Sequence, residues 1–370
     1  MAMDAQTQAA PISFPCSGCG GAMAFDSESQ TLKCPYCGGE HPIPESDVRP
    51  IEHEYDAEDD EESPEATDWG VAQQTIHCES CGGETIIPAL QTAGACVFCG
   101  SPKVLSQGDK ASMRPETMIP FQVSMEEAVA SFRAWKKKRW FVPNAFKKGS
   151  VKSKLTGIYI PFWTYDADTA SSYSAERGDY HYRTVTRTRT VNGKTETYTA
   201  TERYTVWHRV SGDYGRSFDD ILIPASGQYE TKLLEKLGNF DLAELTGYKP
   251  EYLSGFIAER YSIDRRQGWE LAEEQIDAAL REEIEGEIGG DEIRGLRIRT
   301  GIFNRTYKHV LLPVWNANYS YRSKTYRYMV NGQTGLVAGH APRSAVKITF
   351  FVLVLLAAAA AALYLYVQYG

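Results

Sequence analysis

Two copies of one cysteine pattern constrain this chain more than any other feature of its sequence. The first copy pairs Cys16-Ser-Gly-Cys19 with Cys34-Pro-Tyr-Cys37, and fourteen residues separate the two motifs. The second copy pairs Cys78-Glu-Ser-Cys81 with Cys96-Val-Phe-Cys99 at the same separation. All eight cysteines belong to these two groups, and a constant offset of 62 residues relates them. The pattern therefore predicts an internal duplication of one small structural unit.

Each copy has the spacing of a structural zinc ribbon. Two Cys-x-x-Cys turns carried by a short hairpin place four thiolates around one point in tetrahedral geometry. A unit of about forty residues is too small to hold a core by itself, and zinc supplies roughly 10–16 kcal/mol at sites of this kind. Four protein ligands leave no open coordination position, so the expected role is structural. We predict two zinc ions, ligated by Cys16, Cys19, Cys34, Cys37, Cys78, Cys81, Cys96 and Cys99.

Glycine directly follows the second cysteine of every turn. The four positions are Gly20, Gly38, Gly82 and Gly100. Because glycine adopts positive φ without steric cost, these residues predict a tight turn with a left-handed backbone after each pair of ligands.

Two other chemistries fit paired cysteines. Iron accepts the same cage of four thiolates. Disulfides require an oxidising compartment, whereas the membrane topology predicted below keeps the cysteines in the cytosol. A redox Cys-x-x-Cys motif is ordinarily single and lies in a βαβ unit. Zinc is therefore the favoured interpretation.

Length, charge and the first residues set broad limits. A chain of 370 residues predicts more than one domain. The formal net charge of −9 provides no general attraction to nucleic-acid phosphates. Residues 1–11 are polar and lack the positive start and apolar centre of a secretory signal, so none is expected.

An acidic linker, residues 44–72, is expected between zinc ribbon 1 (residues 12–43) and zinc ribbon 2 (residues 73–106). Residues 52–62 are mostly Asp and Glu, and such a run repels itself and stays extended. A plain spacer is the simpler interpretation. A docking strip for a basic partner is the alternative.

Residues 115–342, which we call the body, are predicted to form an α+β domain rich in antiparallel strands. Ser124 and Glu127 form a capping box that begins a helix. Further helices are expected at residues 231–245 and 264–288, the second ended by two glycines at 289–290. A closing hairpin is expected over residues 326–338.

The helix that begins at Ser124 ends in a basic run with aromatic neighbours. Lys136-Lys137-Lys138-Arg139 is followed by Trp140 and Phe141. A solvated helix end is the simplest interpretation. Contact with anionic lipid headgroups or a protein, and contact with nucleic acid, are the alternatives.

A long polar hairpin is expected around Asn192-Gly193, a strong turn signal between two strand-like runs. Its arms are polar on both faces, so we expect it to protrude. Alternate arginines share one face, and Glu196 and Glu202 are their expected partners. These arginines are Arg183, Arg187 and Arg189. The hairpin is either simply solvated or a ribbon that binds a partner.

Two short sequences in the body resemble each other. Tyr159-Ile-Pro-Phe-Trp163 matches Leu311-Leu-Pro-Val-Trp315. We interpret the match as a second, fainter duplication in which two equivalent strands pack Trp163 and Trp315 into one core. The proline in the first sequence, Pro161, indicates an edge strand or the start of a strand.

The chain ends in an apolar stretch. Residues 348–367 contain no charged side chain and would span about 30 Å as a helix, the thickness of one bilayer core. We predict a transmembrane helix over residues 346–367. Arg343 and Lys347 precede the stretch and no charged side chain follows it, so the positive-inside rule places residues 1 to about 345 in the cytosol, at the cytoplasmic membrane.

The sequence offers no recognisable catalytic motif. The cysteines are assigned to metal, and the seven histidines are scattered. Gly193-Lys194-Thr195 resembles the end of a phosphate-binding loop, but Thr188 stands where that motif needs glycine, so no nucleotide is expected. Asp219-Asp220 and the pair Asp166 and Asp168 are interpreted as loop turns. The chain is predicted not to be an enzyme.

The cysteine groups, the two proline-tryptophan sequences and the terminal apolar stretch together resemble bacterial single-span membrane proteins labelled TFIIB-type zinc ribbon or primosomal protein N′-like. True primosomal helicases need a nucleotide-binding motor, and this chain lacks both the phosphate loop and the length. What the resemblance implies is a membrane-associated partner of flotillin-like (SPFH) or envelope-stress proteins.

The fold expected from these observations is multidomain: two N-terminal zinc ribbons with four cysteine ligands each, an α+β domain rich in antiparallel strands, and one C-terminal transmembrane helix. The expected function is that of a non-enzymatic, membrane-anchored scaffold that holds a protein partner in or near the membrane on its cytosolic side. A membrane-tethered nucleic-acid-binding protein that uses the ribbons and residues 136–139 is the alternative.

Overall fold

The computed structural model describes residues 14–44, 52–56, 73–88, 96–98, 101, 104–107, 114–148, 155–191, 194–238, 240–321 and 324–369. Its strands are β1 (Ala24–Asp26), β2 (Thr31–Lys33), β3 (Glu40–Pro42), β4 (His53–Glu54), β5 (Gln73–Cys78), β6 (Glu84–Pro88), β7 (Val104–Gln107), β8 (Thr117–Met118), β9 (Thr156–Val191), β10 (Lys194–Pro224), β11 (Thr246–Gly247), β12 (Ile257–Glu259), β13 (Glu292–Tyr321), β14 (Lys324–Asn331) and β15 (Val337–Gly339). Its α-helices are α1 (Met125–Lys138), α2 (Asn144–Lys148), α3 (Thr231–Glu235), α4 (Arg265–Ile288) and α5 (Ala345–Tyr369).

Two sheets organise these elements. Strands β1, β2 and β3 form a small antiparallel sheet within ribbon 1. The remaining strands form one 12-stranded sheet among the described residues. The long strands β9 and β13 pair antiparallel in this sheet, and β6 of ribbon 2 pairs with β12 of the body. Ribbon 2 is therefore continuous with the body sheet. Most of the acidic linker lies outside the described residues, but residues 52–56 are not the expected solvated spacer, because β4 pairs with β13 and Tyr55 is buried.

The expected duplication of the body is present as a local two-fold arrangement. Ile160 and Leu312, the matching positions of the two short sequences, lie directly opposite each other in the β9–β13 pair. On one side of this point β9 pairs in parallel with β12, and on the other β13 pairs in parallel with β8. A second constant offset, 140 residues, relates the capping boxes at Ser124 of α1 and Asp264 of α4. The short strand of each half of the body therefore pairs with the long strand of the other half.

The prediction that Pro161 marks an edge or the start of a strand is wrong, and Pro313 lies in the equivalent position of the other long strand. Pro161 lies inside β9, opposite Leu311, and Pro313 lies inside β13, opposite Tyr159. A proline is tolerated at both points because the neighbour on its other side changes there, from β12 to β10 beside Pro161 and from β8 to β14 beside Pro313. A missing N–H therefore interrupts no ladder.

The prediction that Trp163 and Trp315 share one core is also wrong. The strands are equivalent, but the rings lie in different buried clusters, Trp163 with α4 and Trp315 with α1. The Nε1–H of Trp163 donates to the carbonyl of Ile263 at 2.9 Å, and that of Trp315 donates to the carbonyl of Val123 at 2.8 Å. Because each acceptor directly precedes the N-cap of a helix, each tryptophan fixes the start of one helix against the sheet.

The helix expected at residues 231–245 is much shorter than predicted. Among the described residues of this range, only α3 and a 3-10 turn at Leu242–Glu244 form. Gly238 adopts a φ of 78° and ends the helical path. The helix expected at 264–288 is confirmed as α4, and Gly289 ends it at a φ of 64°.

The long hairpin is confirmed as the pair of strands β9 and β10, which pair as far as Val191 and Lys194. The turn residues 192–193 lie outside the described residues. The expected ion pairs are present: Glu202 accepts from Arg183 at 2.9 Å and from Arg187 at 3.3 Å, and Glu196 accepts from Arg189 at 3.4 Å. Beyond Gly178 no further strand of the described chain pairs with this hairpin, so it protrudes from the sheet.

Replacing either tryptophan by phenylalanine tests the two-fold arrangement. Trp163→Phe and Trp315→Phe each remove one buried N–H and leave a partly buried carbonyl without its donor, so each should lower the free energy of unfolding by about 1–3 kcal/mol. Denaturant titration of the detergent-solubilised chain, followed by far-UV circular dichroism, measures the change. Trp140→Phe is the matched control because Trp140 is exposed. A loss at only one of the two sites would contradict their equivalence.

Candidate metal centres

The cysteines of ribbon 1 form a complete four-sulfur cage. The sulfurs of Cys16 and Cys37 lie 3.4 Å apart, as do those of Cys19 and Cys34, and all four lie within 4.8 Å of one another. A tetrahedral zinc with bonds of about 2.3 Å needs sulfurs about 3.8 Å apart. The cage therefore has the size and the donor set for one such ion.

Ribbon 2 repeats this cage as far as it is described. The sulfurs of Cys78, Cys81 and Cys96 lie within 4.8 Å of one another, and those of Cys81 and Cys96 are 3.7 Å apart. Cys99, the fourth predicted ligand, lies outside the described residues. Two cysteine clusters thus have the geometry to hold metal ions, as the spacing predicts.

Backbone geometry explains why the turns favour metal binding. Gly20, Gly38 and Gly82 each adopt a φ of 74°, as expected for the position after the second cysteine. In each of these turns that glycine donates its N–H to the carbonyl of the first cysteine. In the two turns of ribbon 1, further N–H groups point at the sulfur of the first cysteine.

These N–H groups stabilise thiolates. The N–H of Cys37 lowers the pKa of the Cys34 thiol to about 6, with help from the N–H of Tyr36 and against desolvation. The N–H groups of Gly18 and Cys19 likewise lower the pKa of Cys16. Because the thiolate is the form that binds metal, the fold prepares these two sulfurs as ligands.

The body clamps the second cysteine turn of ribbon 2 through its backbone. The buried Asn316 donates from Nδ2 to the carbonyl of Val97 at 2.6 Å. Arg327 donates to the carbonyl of Phe98 and, at 2.8 Å, to that of Gln228. The Phe98 ring packs edge-on against Tyr229, with centroids 5.6 Å apart. Sequence reasoning missed these residues because no local pattern marks them as neighbours of a turn more than 120 positions away.

A buried carboxyl lies near this clamp. Glu259 is almost fully buried and accepts a hydrogen bond from the hydroxyl of Ser226. Burial raises its pKa to about 8, although Ser226 and the charge of Arg327 oppose the shift. Glu259 is therefore mostly protonated at neutral pH, and no sequence pattern indicated this.

The carboxylates interpreted as loop turns lie instead inside strands, where two bulges meet. β10 is irregular between Phe218 and Ile221, and β13 is irregular between Phe303 and Thr306. Asp166 of β9 accepts from the N–H of Asp220 at 2.6 Å and from the hydroxyl of Thr306 at 2.7 Å. It therefore ties both bulges to the central strand.

Asp166, Asp219 and Asp220 also lie close enough to form an acidic cluster. The buried ammonium of Lys308 already pairs with Asp220 at 2.8 Å and with Glu52 at 3.2 Å. Repulsion from Asp220 raises the pKa of Asp219. A cation would have to displace Lys308, so we assign this cluster a structural role.

The C-terminal helix is tied to the basic segment after α1. Lys347 of α5 donates to the carbonyls of Trp140 and Val142, at 3.3 and 2.9 Å, and to Asn144 at 2.7 Å. Phe351 packs edge-on against Phe141 at 5.4 Å between centroids. The fold thus brings the basic run predicted from the sequence to the beginning of α5.

One member of that basic run is not available to a partner. Lys136 is buried, donates to the carbonyl of Phe146 at 3.3 Å and lies over the rings of Phe132 and Phe146. Lys137, Lys138, Arg139 and Trp140 are exposed. The structure therefore reduces the exposed basic run from four residues to three.

Replacing Arg327 tests the clamp on ribbon 2. Arg327→Met leaves two carbonyls without their donor and should destabilise the docked turn by about 1–3 kcal/mol. Transfer of one of two metal equivalents to a chromogenic chelator should then become roughly tenfold faster. Arg183→Met, on the exposed hairpin, is the control. Equal acceleration of both equivalents, or of neither, would count against the clamp.

Glu259 should make stability depend on pH. Its folded-state pKa of about 8 exceeds its ordinary value of 4.5, so the folded protein holds a proton that the unfolded chain releases. The free energy of unfolding should therefore fall as pH rises between these values. From pH 6 to pH 8 the loss should be about 2–3 kcal/mol larger for the natural chain than for Glu259→Gln. Glu282→Gln, at an exposed site on α4, should behave like the natural chain; identical pH profiles for all three proteins would contradict the assignment.

Comparison with known proteins shows which family the chain belongs to but assigns no activity to it. No family model matches the chain, and no solved structure matches it. A protein of Bacillus subtilis (strain 168) that carries the name "Uncharacterized protein YdjG" is 31% identical over 348 residues, which cover 91% of this chain and 92% of the relative. The match therefore includes most of the body. The chain belongs to the protein family that includes Bacillus subtilis YdjG.

Proposed function

We propose that the chain is a non-enzymatic scaffold, anchored in the cytoplasmic membrane by α5, that presents two structural zinc ribbons to a protein partner in the cytosol. The observation that carries the proposal is the combination of two sulfur cages with one exposed apolar helix in a single chain. Residues Ala345–Gln368 form a helix of 24 residues, long and apolar enough to cross a membrane, and no residue of its most apolar window is buried.

The charges at the start of α5 support the proposed orientation. Lys347, the exposed Arg343 and the exposed run Lys137–Arg139 all belong to this end of the helix or to the segment bound to it. Cations near a membrane-spanning helix favour the cytosolic side. Trp140 and Phe141 at the same end are side chains that favour the membrane interface. A cytosolic body is consistent with reduced, metal-bound cysteines.

The choice of zinc rests on donor chemistry. Four thiolates with no further ligand suit zinc, and the same cage accepts iron. Each ion would hold its two cysteine turns together and supply stability that so small a unit lacks. No chemical step is assigned to either ion.

We expect a protein partner in or near the membrane, of the flotillin-like or envelope-stress kind. The resemblance to TFIIB-type zinc-ribbon membrane proteins and the proposed cytosolic location of the body both support such a partner. A nucleic-acid-binding role has less support, because the chain is acidic and Lys136 is buried. Salt-sensitive retention on heparin would favour that alternative.

Charges in the centre of α5 test the anchor. The double variant Leu355→Lys, Ala359→Lys should move the chain from the carbonate-resistant membrane fraction to the soluble fraction, since each lysine costs about 2.5–3.5 kcal/mol near the bilayer centre. Thr186→Lys, Thr188→Lys on the hairpin is the matched control. Both variants should retain two equivalents of zinc by elemental analysis.

Orientation is checked with the natural chain. Protease added to intact cells should leave the ribbons and body whole, whereas protease added to inverted membrane vesicles should digest them. Digestion from outside the cell, or purified protein without metal, would overturn the proposal.

A further inference from the structure

The duplicated ribbons place one aromatic side chain in the same local position but in opposite surroundings. Tyr36 of ribbon 1 corresponds to Phe98 of ribbon 2 through the offset of 62 residues. In both ribbons the ring lies so close to a glycine, Gly21 or Gly83, that a Cβ there would collide with it. Yet Tyr36 is 79% exposed, whereas Phe98 is 1% exposed.

Ribbon 1 packs on the body through its other side. The N–H of Phe25 donates to the carbonyl of Ser254 at 2.9 Å, and the hydroxyl of Ser254 donates to the carbonyl of Met23. Cys16 and Cys34 lie in the buried cluster, while Cys19 and Cys37 are exposed. The contact with the body therefore leaves the turn around Tyr36 facing solvent.

The equivalent turn of ribbon 2 shows which side chains can cover such a surface. Its turn receives the guanidinium of Arg327 on the carbonyl of Phe98, the amide of Asn316 on the carbonyl of Val97, and the ring of Tyr229 against the aromatic side chain. A cation, an amide donor and an aromatic ring thus cover the equivalent surface.

The negative charge of ribbon 1 favours contact with a cationic side chain, as on ribbon 2. Its described residues carry Asp26, Glu28 and Glu40 against the single cation Lys33. A zinc ion bound by four thiolates would add two further negative charges. Carbonyl oxygens at the surface of an anionic ribbon attract a guanidinium, which donates several hydrogen bonds in a fixed plane.

We propose that the turn around Tyr36 docks a separate protein that presents an arginine and an aromatic side chain, arranged as Arg327 and Tyr229 are arranged on ribbon 2. The inference rests on the proposed function, because it assigns the partner of the scaffold to one of its two ribbons. A second copy of the chain is not the occupant, since ribbon 2 already covers its Arg327 and Tyr229.

Site-specific photo-cross-linking in growing cells tests the proposal with the full-length chain. p-Benzoylphenylalanine replaces Tyr36, and the control carries it in place of Tyr182, another exposed tyrosine, which lies on the hairpin. Position 36 should give a protein adduct that position 182 does not give. Mass spectrometry of the adduct should place an arginine and an aromatic residue at the cross-linked site, and changing that arginine to glutamate should reduce the adduct roughly tenfold.

Four outcomes would overturn the proposal: no adduct above that at position 182, an adduct with another copy of this chain, an adduct with nucleic acid or lipid, or an adduct that survives loss of the arginine. The same membranes are analysed for zinc and for carbonate-resistant attachment. If metal or attachment is missing, the proposed function fails. If both are present and the adduct is absent, only the docking inference fails.

Discussion

The antiparallel pairing of β9 with β13 is the constraint on which the rest of the body depends. Because Ile160 and Leu312 are both equivalent and opposite each other, the two halves must exchange their short parallel strands. That exchange sets where α1 and α4 begin. Each helix follows one of the exchanged strands, and the carbonyl just before its N-cap accepts a hydrogen bond from a tryptophan of the opposite half. Neither half could complete its own sheet alone.

The cysteine clusters and the capping box at Ser124 could be predicted from the sequence because each is encoded by residue type at a short, fixed spacing. Cys16–Cys19 and Ser124–Glu127 need no knowledge of distant contacts. The prediction for Pro161 failed for the opposite reason. Pro161 is tolerated only because β12 ends beside it and β10 begins there, and that depends on residues more than sixty positions away.

The same distinction explains what sequence reasoning missed in the candidate site. Asn316 and Arg327 hold the turn at Val97 and Phe98 across more than 200 residues of chain. Glu259 is notable only because the fold buries it among Ser226, Tyr229 and Arg327. The acidic pairs at 166–168 and 219–220 looked like turns because bulges and turns favour the same small polar residues.

If α5 spans the membrane as proposed, the attachment of Lys347 fixes how the body is oriented on that helix. Three oxygen atoms of the 140–144 segment hold this side chain, so no flexible spacer separates the first turn of α5 from the folded body. The body would then tilt together with the helix instead of swinging on a tether. The paired arms of β9 and β10 beyond Gly178 extend about 40 Å at 3.3 Å per residue. This rigid attachment would keep the far end of the β9–β10 pair at a fixed distance and in a fixed direction from the lipid surface.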